Sequence, residues 1–353
     1  MKSIKHALGA WREMPKADRR RAGKDWLVGN ALYLFLLGAI VAIVIYDPRF
    51  LSAPSLINIL SLSAANLPLA LGIAGCIVLT GTDLSAGRVV GLVACVAASL
   101  LQTSGYPNKM FPDLPALPLW AVAVIVLLIG GTVGLINGFC VAKFKLHPFI
   151  VTLATQLILF GVLLMYLMIG NNNGQSLSGL DPAYTEFITG SILRIGSVSV
   201  PNYVFYSLAI TALIWFLWNK TVFGKNMFAV GSNQEAARVS GVNVTAVIIG
   251  VFVLAGMLYG VTGFIEAARI GSNSAATGLN YELDAIAACV IGGVSFVGGV
   301  GKIRGVILGV VLLRIIFVGL TFLSIDSNLQ YVIKGLIILV ACAIDMRKYL
   351  ARK

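Results

Sequence analysis

The chain has 353 residues, of which 58% are hydrophobic and 11% are charged. A soluble domain carries about 25% charged residues because its surface must be solvated. The composition therefore excludes a protein built mainly of water-soluble domains and predicts an all-α polytopic membrane protein. The net charge of +12 resides in short segments between apolar runs, a pattern typical of cytoplasmic loops rather than of nucleic-acid binding.

Apolar runs of about 20 residues predict transmembrane helices. The first run follows a basic segment, 1–26, and is too long for a signal-peptide core, so we predict an uncleaved first helix. In the second run, Asn66 and Pro68 predict a kink or an interruption. The eighth run is short and glycine-rich, which predicts a broken or re-entrant segment. The ten predicted spans lie near 27–46, 56–79, 84–103, 119–142, 148–168, 202–218, 244–265, 284–298, 305–323 and 328–345.

The distribution of basic residues predicts the orientation, because cytoplasmic segments carry an excess of Lys and Arg. With the N-terminus inside, the inside segments hold twenty basic residues, Arg88 among them, and the outside segments hold four. Residues 1–26 and 347–353 are therefore predicted to be cytoplasmic. Residues 27–346 are predicted to form the transmembrane domain, with an inside loop over 219–243.

Five spans in each half predict an inverted 5+5 repeat, an arrangement common in transporters. The segment GTDLSAGRVVGL after the second span resembles YELDAIAACVIGG after the seventh, with Asp83 and Asp284 in matching places. Asp83 precedes the third span, where the helix dipole favours a negative charge. Two interpretations of Asp83 are open: it caps that helix, or it orders a bend near a transport pathway.

The loop 219–243 is the longest inside loop between spans, and its core, 232–241, predicts a short helix. Ser232 or Asn233 can cap this helix, and Gly241 can end it. The helix is too short to bury a core of its own. We therefore expect it to bind a partner surface, with a solvated linker as the alternative.

The spans contain few polar side chains, namely Asn66, Asn137, Gln156, Arg314 and Lys334. Polar groups in a membrane usually face the interior of the helix bundle. Amides are suited to hydrogen bonds with a neutral polyol, and adhesion between helices is the alternative for each residue. The residues predicted to line a pathway or to act in gating are Asn66, Asp83, Asn137, Gln156 and Asp284.

The glycines, cysteines and histidines are the remaining residues from which a function could be predicted. Five glycines between 292 and 301 predict close packing of backbones. The five cysteines fall in apolar runs without metal-ligand spacing, and the two histidines are isolated. We therefore expect no metal, no cofactor and no catalytic residue on this chain.

Four segments, in this order, resemble the permease subunits of ABC-type sugar importers of the ribose/galactose class. The resemblance covers nearly the whole chain and is strongest to the galactose/methyl-galactoside members. The segments are GTDLSAGR (81–88), PFIVTLAT (148–155), FGKNMFAVGSNQEAARVSGVNV (223–244) and ELDAIAACVIGGVSFVGGVG (282–301).

The resemblance implies an inner-membrane homodimer, embedded in lipid, that moves galactose, methyl galactoside or glucose from periplasm to cytoplasm. It further implies a cytoplasmic ATPase subunit, which binds ATP and Mg, and a periplasmic sugar-binding protein. The alternatives are a permease of this class for ribose or a nucleoside, an ion-coupled secondary transporter, and an enzyme acting on lipid-linked substrates. The residues implied to contact the ATPase are Asn233, Glu235, Ala236, Ala237, Arg238 and Gly241.

Overall fold

A computed structural model describes residues 15, 38, 40–115, 117–195 and 198–350. The described chain is almost entirely helical, with one hairpin of strands β1 (Leu193–Ile195) and β2 (Val198–Val200). The helices are α1 (Ala53–Val78), α2 (Ala86–Leu100), α3 (Leu119–Phe144), α4 (Pro148–Leu167), α5 (Pro182–Thr189), α6 (Asn202–Lys220), α7 (Val222–Ser232), α8 (Gln234–Val239), α9 (Val244–Ile270), α10 (Tyr281–Ile291), α11 (Ile303–Phe322) and α12 (Ser327–Leu350).

Five of the described helices are long and apolar enough to cross a membrane, namely α1, α3, α4, α9 and α11. The pair α6 and α7 also qualifies as one span, although it bends by 69° at the junction. Other predicted spans correspond to the shorter α2 and α10 and to α12, whose apolar part is Ser327–Val340. The first predicted span, 27–46, lies largely outside the described residues, which are helical over 40–46. The structure confirms a polytopic helical membrane protein.

Local signals explain where several helices begin and end. Asn243 caps α9, because its side-chain oxygen accepts a hydrogen bond from the Ala246 N–H (3.0 Å). Gly271 ends the same helix with a φ of 74°, a conformation that favours glycine. Pro148 opens α4, where the N–H that proline lacks is not needed.

Helices α1 and α9 form the centre of the bundle. About three quarters of the most apolar stretch of α1 is buried (78%), compared with 28% for α3 and for α4. Helix α9 packs against α1, α2 and α3, while α1 also packs against α6, α10 and α11. Helices α3 and α4 thus leave most of their apolar side chains on the outer surface, as lipid-facing helices do.

One end of the bundle gathers the segments that the basic residues assign to the inside. Gly81 lies against the ring of Pro148. The Gly299 N–H donates to the Val78 carbonyl (2.9 Å), and Gly231 lies against the same carbonyl. We call this end the coupling end; it comprises 79–84, 143–147, 219–243 and 292–302.

The opposite end, which we call the far end, gathers segments that the same rule assigns to the outside. Gln102 forms an isolated antiparallel bridge with Leu180, and Leu177 forms another with Asn273. These pairings tie together three segments that are distant in the sequence. The far end comprises 101–115, 117–118, 168–195, 198–201 and 271–274.

The second predicted span differs from the expectation, because α1 is a single helix that continues through Pro68. The predicted interruption is wrong. The Asn66 amide group donates to the Leu62 carbonyl one turn earlier (3.0 Å), so this polar side chain is partly satisfied within the helix. Helices packed around α1 bury its central turns and hold the proline in place.

The eighth predicted span is broken, as expected, but its predicted bounds, 284–298, are wrong. Helix α10 begins earlier, at Tyr281, and already ends at Ile291. Gly293 and Gly298 then adopt φ values of 81° and 87°. These conformations do not belong to a helix and are open to glycine, so the chain turns at the coupling end instead of continuing as a span.

The segment 271–280, predicted as an outside loop, runs inward along α2. Arg88, in the first turn of α2, donates to the Ala275 carbonyl (3.0 Å) and lies 4.4 Å from the centre of the Phe160 ring. Arg88 is buried. Its assignment to an inside loop is therefore wrong, because tertiary packing satisfies this charge inside the bundle.

The packing of the first-half helices recurs in the second half. Helix α3 packs on α9 as α11 packs on α1, and α2 packs on α9 as α10 packs on α1. Helix α2 contacts α3 and α4 as α10 contacts α11 and α12. The two aspartates are not equivalent, however: Asp83 lies three residues before α2, whereas Asp284 is the fourth residue of α10.

Candidate functional site

Helix α8 is a short, capped helix that projects from the coupling end. The Asn233 side-chain oxygen accepts a hydrogen bond from the Ala236 N–H (2.9 Å), so Asn233 rather than Ser232 is the cap. Ser232 is the last residue of α7. Gly241, with a φ of 84°, turns the chain after the helix.

The outward side of α8 carries charge, and its inward side is anchored. Glu235 and Arg238 form an ion pair one turn apart (2.9 Å), and both side chains are exposed. Ala237 is buried, while Val239 is 89% exposed. The helix thus presents a charged pair beside an exposed apolar side chain, a surface suited to a protein partner.

The glycine-rich segment 292–301 holds α7 against the end of α1. A Cβ atom at Gly231 would lie 1.9 Å from the Val78 carbonyl oxygen and 2.9 Å from the Gly299 nitrogen. Only glycine permits this approach. The predicted close packing of this segment is therefore found, and it connects α8, through α7, to the central helix.

An open cavity of about 340 Å³ lies beside α8 at the coupling end. Its wall includes residues from α8, from the end of α1 and from the turn between α3 and α4. Residues of the cavity that represent these elements are Gln234, Glu235, Arg238, Gly81, Lys145 and Pro148.

Two of the candidate pathway residues, Asp83 and Asn137, belong to one hydrogen-bond network. The Asp83 carboxylate accepts from the Ser85 hydroxyl (2.6 Å) and from the Ser85 N–H (3.0 Å). Asn137 donates to the Ser85 hydroxyl (3.0 Å) and accepts from the Thr155 hydroxyl (2.7 Å). The network joins the turn before α2 to α3 and α4. Asp83 does not occupy the cap position itself, which belongs to Ser85.

Replacing Asp83 with leucine should lower the stability of the purified protein by about 1–3 kcal/mol, because both Ser85 donors lose their buried acceptor. Asp83→Asn keeps an acceptor oxygen and should retain most of the stability. Thermal unfolding in detergent measures both variants. Asp113→Ala, at an exposed position of the far end, is the control. Equal melting temperatures for the leucine variant and the wild type would contradict a structural role for this carboxylate.

The other two central candidates, Asn66 and Asp284, line one small cavity together with Arg314. Asp284 Oδ1 lies 2.5 Å from Lys334 Nζ, and Asp284 Oδ2 lies 3.9 Å from Arg314 Nη2. The two cations seen within the predicted spans therefore share one carboxylate. Gln156 lies apart, half-buried on α4.

Glu282 was not identified by the sequence analysis. It is buried, and an added Cβ at Gly87 would lie 2.1 Å from its Oε2 atom. The similarity of Asp-Leu-Ser-Ala (83–86) to Glu-Leu-Asp-Ala (282–285) contains the signal. In that register Glu282, rather than Asp284, corresponds to Asp83.

The family model described as "Branched-chain amino acid transport system / permease component" matches residues 55–342. The matched region contains α8, the Asp83 network and the Asp284 cluster. The chain therefore belongs to this family of membrane permease components.

Individual relatives confirm the resemblance noted in the sequence. The galactose/methyl galactoside import permease protein of Salmonella typhimurium is 46% identical over 338 residues, covering 96% of this chain and 99% of the relative. The protein of that name from Treponema pallidum is 39% identical, covering 93% and 64%. The ribose import permease protein of Escherichia coli is 34% identical, covering 94% and 98%. No solved structure matches the chain.

Proposed function

We propose that the chain is the permease subunit of an ATP-driven importer that moves a galactose-type monosaccharide from the periplasm to the cytoplasm. The observation that carries the proposal is the 46% identity to a galactose/methyl galactoside import permease over nearly the full length of both chains. The greater similarity to galactose than to ribose permeases favours a hexose over ribose.

The coupling end faces the cytoplasm in this proposal, and α8 is the contact with the ATPase subunit. The proposed contact surface contains Asn233, Glu235, Ala236, Ala237, Arg238 and Gly241. Its support is an exposed ion pair on a rigidly capped helix that is anchored to α1 through α7. The ATPase binds ATP and Mg, and this chain performs no bond chemistry.

The charges at the two ends support this orientation. Lys143, Lys145 and Lys220 lie at the coupling end without an acidic partner among the described residues. Just before α1, the Arg49 charge is paired with Asp47 (2.8 Å), and the far end itself has two basic and three acidic side chains. An excess of unpaired positive charge marks the cytoplasmic side. Both termini, 1–26 and 347–353, are accordingly proposed to be cytoplasmic, and the far end to meet a periplasmic sugar-binding protein.

We also propose that the helices form an inverted repeat and that two copies make a homodimer. The recurrence of packing partners in the two halves supports the repeat. Helix α4 and the part of α12 from Leu329 to Val340 expose apolar side chains, which lipid and a second copy can cover. The residues proposed to act in the pathway or in gating are Asn66, Asp83, Asn137, Gln156 and Asp284.

The proposal is tested by the ATPase activity of the chain reconstituted with its ATPase subunit in proteoliposomes. We expect galactose-loaded binding protein to stimulate hydrolysis, and the unloaded protein to stimulate it far less, because the loaded protein stabilises one conformational state of the permease. If only ribose-loaded binding protein stimulates ATP hydrolysis, the substrate is ribose and not galactose. Sugar uptake that follows an ion gradient, with no ATPase bound, would overturn the proposal in favour of a secondary transporter.

A further inference from the structure

Asp284 lies between two cations that belong to different helices. Lys334 of α12 lies 2.5 Å from one carboxylate oxygen, and Arg314 of α11 lies 3.9 Å from the other. The three side chains are largely buried, with exposed fractions of 12%, 15% and 16% for Asp284, Lys334 and Arg314. Asn66, near the middle of α1, lines the same cavity, so the cluster lies deep in the bundle.

One carboxylate cannot neutralise two cations. Charges within a membrane protein are costly unless they are paired. The cluster holds one positive charge more than its negative charge, and α11 and α12 therefore compete for the carboxylate of α10. The present arrangement favours α12, since Lys334 is in close contact and Arg314 is not.

An empty space and an unused hydrogen-bond acceptor lie next to Arg314. A void of about 10 Å³ is lined by Asn66, Asp284 and Arg314. The Asn66 side-chain oxygen is buried and has no hydrogen-bond partner among the described residues. A guanidinium group has five donors in a fixed plane, so a small movement of Arg314 into this void would bring it onto both Asn66 and Asp284.

Lys334 has a second position available when it leaves the carboxylate. Its ammonium group already lies 5.1 Å from the centre of the Phe317 ring and 5.3 Å from that of Tyr331. Aromatic faces attract a cation. In either arrangement Asp284 is thus bound closely to one cation, while the other stays nearby: Arg314 at 3.9 Å from the carboxylate, or Lys334 beside the two rings. A charged cluster with two satisfied arrangements is a bistable element.

We propose that Asp284 exchanges Lys334 for Arg314 as α12 moves relative to α10, and that this exchange accompanies the conformational change of the permease. Helix α12 packs mainly against α10, so the carboxylate of α10 lies at the contact that such a movement would change. The exchange deepens the gating role assigned to Asp284 and rests on the proposed transport function. It makes Lys334 and Arg314 opposing determinants of the same equilibrium.

The test measures the position of α12 through maleimide labelling of Cys342 on full-length protein in proteoliposomes. Cys76, Cys95 and Cys289 are buried, and Cys140→Ala removes the other partly exposed thiol. Lys334→Met releases α12 and should accelerate labelling, whereas Arg314→Met removes the competitor and should slow it, each by about fivefold for a modest coupling. Arg304→Met removes an exposed charge from α11, the helix that carries Arg314. This control variant should leave the labelling rate unchanged.

Opposite effects of the two methionine variants support the exchange. If both variants accelerate labelling, or neither changes it, the cluster only holds the helices together and the proposal is overturned. Asp284→Asn should abolish the difference between them. Lys334→Arg and Arg314→Lys, which keep the charges, serve where a methionine variant does not fold and should show weaker shifts of the same opposite signs. The labelling needs neither sugar nor ATPase, so it can succeed even if the proposed sugar import fails.

Discussion

Replacing Gly134 with leucine should prevent α3 and α9 from packing and should abolish recovery of folded, monodisperse protein. A Cβ atom at Gly134 would lie 2.1 Å from the Phe252 carbonyl oxygen. Gly130 and Gly256 meet in the same way, each with an added Cβ 2.1 Å from the carbonyl oxygen of the other. Backbone cannot move aside as a flexible side chain can, so we expect a loss of about 3 kcal/mol or more.

The matched control is Gly161→Leu on α4, because a Cβ at Gly161 has no heavy atom within 4 Å. Size-exclusion chromatography and thermal unfolding in detergent compare the two variants. We expect the Gly161 variant to behave as the wild type does. A Gly134 variant with unchanged melting temperature would contradict the close contact of α3 and α9.

The double variant Glu235→Lys with Gly241→Pro should lose association with the ATPase and keep its insertion into the membrane. Proline fixes φ near −65°, whereas Gly241 has a φ of 84° and donates to the Arg238 carbonyl (3.0 Å). Lysine at 235 also removes the ion pair with Arg238 and repels that side chain instead. We expect at least about a tenfold decrease in co-purified ATPase, a change of 1.4 kcal/mol.

Glu186→Lys reverses an exposed charge at the far end and is the matched control for charge. Membrane insertion is measured in the same preparations by fractionation. Normal recovery of the ATPase with the double variant would remove α8 from the contact. Reduced insertion of the variant would show instead that this segment is required for folding.

The sequence predicted the elements that depend on neighbouring residues. The boundaries of α3 and α4 agree with the predicted spans to within about two residues, because apolar length is a local property. Asn233 and Gly241 mark the ends of α8 for the same reason: a cap and a left-handed turn involve only adjacent backbone. The family was also evident from short motifs, since these remain contiguous in the chain.

The side predicted for each loop depends on the basic residues of the whole sequence and not on neighbouring residues alone. Counting basic residues placed 79–84, 143–147 and 219–243 on one side, and the structure gathers these segments at one end. This succeeded because each span that crosses the bundle reverses direction. The count failed for Arg88, whose partners in the fold, Ala275 and the ring of Phe160, are far from it in sequence.

The sequence by itself thus determined the class of protein, most of the helices and which of their connections share one end of the bundle. Only the tertiary structure decided which helices are neighbours, because membrane helices are apolar on all faces and their patterns do not mark a contact side. The pairing of Asp284 with Lys334, the early end of α10 at Ile291 and the glycine contacts of α3 with α9 all depend on that choice of neighbours.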